Sequence, residues 1–146
     1  MDRNYYFSPN LVSGDELKAG YAFAKNLAEE SGEVLTICVN SIQNCDQFLE
    51  KIFNTTTVNK LRAYKTISDG PVRVQLKSPQ GLKGHDTFGV ILALHASPEA
   101  ISKLEGSIKA HSLTIVSEVP VDGTCAHLET WASEKSAQKL GTQKSG

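Results

Sequence analysis

His95 and Ser97 stand two residues apart, where the apolar run Phe88–Leu94 meets Pro98-Glu99. An imidazole at such a place can hold or pass a proton near neutral pH. A serine directly ahead of Pro-Glu suits a helix N-cap, where unpaired backbone N–H groups and the positive dipole end favour an anion. Two other connections share this character. Asn40-Ser41 follows the apolar segment Val34–Val39, and Glu118 to Thr124, which includes Asp122, follows Leu113–Val116. Together Asn40, Ser41, His95, Ser97, Glu118, Asp122 and Thr124 form a candidate ligand set for a small anion. Ser97 and Thr124 would contact the phosphate or carboxylate. His95 would act as acid–base, with Asp122 or Glu118 as its partner. The plainer reading takes precedence: these residues cap helices and turn the chain, and His95 bonds a backbone carbonyl in the core.

Other chemistries lack their patterns. A dinucleotide cradle needs G-x-G-x-x-G straight after a strand, but the first apolar strand runs into VNSIQN, and Gly81-x-x-Gly84 precedes a strand instead. There is no G-x-x-x-x-G-K-[ST] phosphate loop and no G-x-S-x-G elbow. Cys125 and His127 would point to nearly opposite sides of a helix. Cys38 lies mid-strand as an inert thiol, and Cys45, at a helix start, is the one cysteine a dipole could activate. No HxxxH, HExxH or paired CxxC spacing occurs, so neither a metal site nor a cofactor is expected. Lys60, Arg62, Lys65, Arg73 and Lys77 form a local basic cluster whose only acid is Asp69, a candidate nucleic-acid contact. The net charge of −1 supplies no field to support it, and charged edge strands also guard against aggregation.

The elements that must hold these residues follow from periodicity and punctuation. Residues 1–12, with Tyr5, Tyr6 and Phe7, are expected to be an extended arm packed on the domain. Ser13 with Glu16 is a capping box, Leu17, Tyr21, Ala24, Leu27 and Ala28 fall on one helical face, and Gly32 is a C′ stop. Asn44 with Gln47 resembles a second capping box, leading to Phe48, Leu49, Ile52 and Phe53, and Asn54–Thr57 interrupts it ahead of a short helical piece at Val58–Arg62. Asp69-Gly70 between Ala63–Ile67 and Val72–Leu76 signals a hairpin, with Val72, Val74 and Leu76 inward and Arg73, Gln75 and Lys77 outward. Ser78–Asp86 is a loop. A helix over Pro98–Ala110 presents Ile101, Leu104 and Ile108, and a last helix carries Leu128 and Trp131.

A chain of 146 residues, 40% hydrophobic and 21% charged, suits one domain with its own core. No apolar run reaches the roughly 20 residues that span a bilayer, and no signal-peptide pattern opens the chain. Three cysteines without CxxC do not form a disulfide framework, so the expected setting is cytoplasmic, with no membrane partner. The expected fold is α/β: a three-layer, Rossmann-like sandwich over residues 1–132 with a mixed, mainly parallel sheet of about five strands and an edge hairpin, followed by a flexible polar tail, 133–146. The function expected is a non-enzymatic binding or interaction module, or accessory subunit, that engages a protein partner or a second copy of itself. The alternatives are a small-molecule or nucleotide-handling enzyme with its site near His95, and a nucleic-acid accessory protein using the basic hairpin.

Overall fold

Phe88 and the strand that follows it explain the architecture. In the computed structural model, which describes residues 2–8, 14–40, 49–63, 66–78, 88–94, 98–106, 110–118 and 126–139, β5 (Val90–Leu94) is buried at every position. It lies mid-sheet, between β2 (Leu35–Val39) and β6 (Ser112–Glu118). The sheet has seven strands in the order β3-β4-β2-β5-β6-β1-β7, with β3 (Ile67–Asp69), β4 (Val72–Lys77), β1 (Asp2–Ser8) and β7 (Gln138–Lys139) completing it. All neighbours pair in parallel except β3 with β4.

Helices pack on both faces. On one face, α1 (Gly14–Ser31) and α2 (Thr55–Arg62) share a hydrophobic cluster with Leu35, Ile37, Val90, Leu92 and Val116. On the other, α3 (Pro98–Gly106) and α4 (Ala126–Glu134) contribute Ala100, Leu104 and Trp131 to a cluster with Phe88, Ile91, Ala93, Leu113 and Ile115. The crossovers through α1 and α2 move toward β3 on the α1 face, and those through α3 and α4 move toward β7 on the other face, as a single handedness of connection requires.

Local signals account for several boundaries. Helix α1 buries Leu17, Gly20, Tyr21, Ala24 and Ala28 and stops in a Schellman motif. Glu33 N–H donates to the Ala28 carbonyl at 2.9 Å, Gly32 N–H donates to the Glu29 carbonyl at 3.4 Å, and Gly32 has φ +69°. The hairpin lies at the sheet edge as expected, but its loop is only Gly70-Pro71, with Asp69 opposite Val72, so β3 sits later than Ala63–Ile67. Gly70 at φ +61° followed by a proline, whose ring keeps φ negative, is the type II′ pattern. Asp69 then faces α1: Tyr21 donates its hydroxyl to Asp69 at 2.5 Å and Lys25 lies 3.2 Å away. The Tyr21 hydroxyl bond, opposed by burial and aided by Lys25, lowers the Asp69 pKa, while burial and that same bond raise the tyrosine's.

Five expectations require correction. Residues 2–8 are extended but form an inner strand paired with β6 through seven positions, not an arm over the domain. With two-residue β7 they raise the strand count from about five to seven. Asn54–Thr57 opens α2 instead of interrupting a helix: Asn54 Oδ1 accepts from Thr57 N–H at 2.8 Å, and this N-cap bond outweighs the poor helix propensity of threonine. The helix expected to reach Ala110 is described over Pro98–Gly106, and Ala110 itself is not helical, while residues 107–109 lie outside the described residues. Within the expected tail, α4 extends to Glu134, Ser136 takes φ 54°, and Ala137 N–H donates to the Ala132 carbonyl at 3.0 Å before β7 begins. The expected Asn44 capping box and the loop 79–86 lie outside the described residues, whereas Leu49 is fully buried in the core.

Strand β1 is held by charge as well as by pairing. The Arg3 guanidinium grips the Glu105 carboxylate with two bonds, at 2.7 Å and 2.6 Å, and Trp131 Nε1 donates to the same carboxylate at 2.6 Å. Only 12% of the Glu105 side chain is exposed. Burial alone would raise the Glu105 pKa, but the bonds from Arg3 and Trp131 and the positive charges nearby outweigh it and hold the carboxyl below its ordinary 4.5. The same pairing raises the Arg3 pKa.

Because its folded pKa is depressed, Glu105 contributes stability that is present above pH 4.5 and lost as pH falls through the folded value. Trp131, the one tryptophan of the chain, should report this as an emission change in acid that is absent in Glu105→Gln. Identical acid profiles for the two proteins would refute the assignment.

Glycine at position 89 is a second point of strict demand: φ is +63°, and a Cβ there would lie 2.3 Å from the Val34 carbonyl oxygen. Gly89→Ala should cost about 2–4 kcal/mol in urea unfolding, and Gly32→Ala, with open space around it, about 1 kcal/mol. Equal losses would show that the backbone contact at Val34 is not decisive.

Candidate functional site

Parallel pairing fixes where the connections leave the sheet. Val39 lies opposite Leu94, Leu94 opposite Val116, and Glu118 opposite Ser8, so β2, β5, β6 and β1 end along one carboxyl edge. Asn40 leaves β2 at this edge and is exposed. Glu118 is the last residue of β6. The strand ends preceding the three nominated connections are therefore neighbours.

The edge has one further property. After β2 the chain supplies Leu49, Val58 and Leu61 to the α1 face and continues to β3 and β4. After β5 it supplies Ala100 and Leu104 to the opposite face and continues to β6. The two crossovers diverge from adjacent strands, to opposite faces and in opposite directions along the sheet. In open α/β sheets ligands bind where crossovers diverge in this way, and here the divergence falls at Val39 and Leu94, with residues 41–48 and 95–97, which follow them, outside the described residues.

Of the expected site residues, Ser41, His95, Ser97, Asp122 and Thr124 lie outside the described residues, as does Lys65. The basic cluster is divided by the sheet. Arg73 and Lys77 project from β4 on the side opposite Val72, Val74 and Leu76, whereas α2, which carries Lys60 and Arg62, packs with those valines and Leu76. Alternation along β4 separates residues that sequence proximity groups together.

Cys38 is the one cysteine among the described residues. It pairs across from Ala93, one position before the end of β2, and only 2% of it is exposed. Burial pushes its pKa up to about 12, so at neutral pH it is a thiol and neither attacks nor binds metal as a thiolate. Among the described residues no three His, Cys, Asp or Glu side chains gather as a metal site, and no helix is long and apolar enough to cross a membrane.

A separate cleft of about 320 Å³ opens at the amino edge, between Gly32–Val34, Pro71 and Arg73. It lies beside the carboxyl end of α1, where Glu29 and Glu33 meet a negative helix dipole, and it offers an anion only Arg73.

Local sequence logic missed the polar residues that the sheet buries. Thr36 donates its hydroxyl to the Phe88 carbonyl at 2.9 Å and accepts from Gln75 at 2.8 Å. Asn4, Ser112 and Thr114 are also buried, on the α1 side of β1 and β6. The available signal was a hydroxyl residue inside the apolar run Leu113–Val116.

Thiol labelling should spare Cys38 in the native protein and reach it only in urea, as mapped by mass spectrometry after digestion. Labelling of Cys38 under native conditions, at the pace of a small free thiol, would contradict its placement. Compared with protein-family models, with curated proteins and with solved structures, the chain matches none.

Proposed function

We propose that this protein is a three-layer, Rossmann-like binding module that holds a small anionic ligand, without turning it over, at the carboxyl edge between β2 and β5. The observation that carries the reading is the divergence of the two crossovers that follow the adjacent strand ends Val39 and Leu94. Asn40 and Ser41 serve the β2 side of the crevice, and His95 and Ser97 the β5 side. Glu118 ends the next strand over, β6, and Asp122 and Thr124 follow it in the chain. Serine and threonine hydroxyls and helix-start N–H groups bind phosphate or carboxylate without a lysine. The imidazole of His95 adds a hydrogen-bonding group to this set.

The binding reading is preferred to the enzymatic one because the sequence carries no nucleophile elbow and no paired metal-ligand spacing, and the one described cysteine, Cys38, is a buried thiol whose pKa burial raises. A cytoplasmic setting fits three cysteines with no disulfide pattern. The nucleic-acid reading has less support, since the sheet divides Arg73 and Lys77 from the helix bearing Lys60 and Arg62.

A thermal-shift series with inorganic phosphate, nucleotides and phosphosugars tests the proposal, with light scattering to follow mass. An anion of this class should raise the melting temperature with dose, by the equivalent of about 2.7 kcal/mol at a hundred times its dissociation constant. The rise should shrink in Asn40→Ala and in His95→Ala while both variants melt cooperatively. A panel without a dose-dependent rise refutes the anion site. A rise that survives both substitutions refutes its location.

A further inference from the structure

Strand register lines up a second set of polar side chains, at a place the carboxyl-edge site does not touch. Thr114 on β6 lies beside Leu92 on β5 and Asn4 on β1, and Asn4 lies beside Gln138 on β7. Ser112, two residues before Thr114 in β6, lies between Val90 and Asp2. Alternation places all of them on the α1 face: Val116 and Tyr6 pack in the α1 cluster, whereas Leu113, Ile115 and Tyr5 pack in the other. The result is a polar strip that runs from the sheet edge to its interior. Gln138 is exposed, Asn4 is 7% exposed, and Thr114 and Ser112 are at 0%.

The inner end of the strip is unusual in one respect. The Ser112 and Thr114 hydroxyls have no hydrogen-bond partner among the described residues, although both are fully buried. Other buried hydroxyls of the sheet are provided for: Thr36 both donates and accepts, and Ser117 has a partner. A buried hydroxyl left without a partner typically reduces the folding constant roughly tenfold. Two of them on one strand, about 6.5–7 Å apart as i and i+2 positions are, make up a matched pair of contacts.

We infer that this strip is a polar inlet whose inner end, at Ser112 and Thr114, seats a small neutral hydrogen-bonding guest. The guest is neutral because Asn4, Ser112, Thr114 and Gln138 carry no charge, and the carboxylate of Asp2, the neighbour of Ser112 on β1, is exposed to water instead of buried beside the hydroxyls, where an ion would need a counter-charge. It is small because both hydroxyls are closed off from solvent. It carries hydroxyl or water-type donors and acceptors, since each hydroxyl and the Asn4 amide both gives and takes hydrogen bonds. Solvent water and a small polyol share this chemistry. Gly20 sets how far α1 stands off β6 beside the strip: a Cβ there would meet Val116 Cγ2 at 2.8 Å.

Isosteric removal of the hydroxyls gives the test, in the full chain. Thr114→Val and Ser112→Ala should each raise the unfolding constant about five- to tenfold in urea titrations, and Thr114→Ser, which keeps the hydroxyl, should raise it less than Thr114→Val. In wild-type protein, water–amide NMR cross-peaks at residues 112–114 identify water as the guest if glycerol leaves those amide shifts unchanged. Saturable glycerol shifts that vanish in Thr114→Val identify a polyol-sized guest. Thr114→Val as stable as wild type, or more so, overturns the inference. A loss of stability with neither water cross-peaks nor saturable glycerol shifts also overturns it, because packing alone would then explain the loss.

Discussion

A strand buried on both faces and paired on both edges is the constraint from which the rest follows. Val90, Ile91, Leu92, Ala93 and Leu94 leave no side of β5 for water. Full burial of each larger side chain contributes about 1.5–3 kcal/mol relative to exposure, but only once helices stand on both sides. A parallel sheet supplies those helices through its crossovers, and a uniform hand sends opposite directions of travel to opposite faces. The chain must reach β4 on one side of β2 and β6 on the other side of β5, so both faces are covered and the crossovers part between β2 and β5. The proposed ligand crevice thus shares its cause with the core.

What could be read from the sequence was what a few neighbouring residues decide. The Gly32 stop rests on two hydrogen bonds within six residues, and the edge hairpin on Asp69-Gly70-Pro71. The apolar β5 and the inward Val72, Val74 and Leu76 were equally legible. The ends of the central strands, and so the connections that flank the candidate site, followed from the same patterns. Strand order did not, because pairing of β1 with β6 joins residues 2–8 to residues 112–118 and no local pattern encodes it.

Strand β1 shows why the N-terminal segment was misjudged. Arg3, Asn4 and the tyrosines do not alternate cleanly between apolar and polar, so the segment resembles an arm. Its polar groups are met by partners far along the chain: Arg3 by Glu105, across 102 residues, and Tyr6 by Glu16 at the start of α1. Next to the edge strand, backbone pairing and a bidentate ion pair substitute for an apolar face. The brief β7 pairs only with Asn4 and Tyr5, which is enough to close the middle of that edge. The Asn54–Thr57 turn was misjudged for a related reason. β-Branched residues disfavour helix interiors, but in the first turn a capping side chain decides.

The polar residues of the sheet divide according to how their needs are met. Thr36 lies deep between β4 and β5 and is satisfied by Gln75 and the Phe88 carbonyl, so it serves as an internal tie between strands. Glu105 is satisfied three times over, which lets a carboxylate join β1, α3 and α4. Ser112 and Thr114 have no such arrangement, and they occur on the half of the α1 face nearest the β1 edge, where Asn4 and Gln138 continue the polar strip outward. An apolar pair would serve a purely structural strand at those positions, as Leu113 and Ile115 do on the other face. Two hydroxyls in their place have a physical rationale if something that hydrogen-bonds lies against them. The proposed crevice at the carboxyl edge and the polar strip on the α1 face are thus separate consequences of one sheet: the first is placed where crossovers diverge, the second where the core gives way to β1 and the β7 edge.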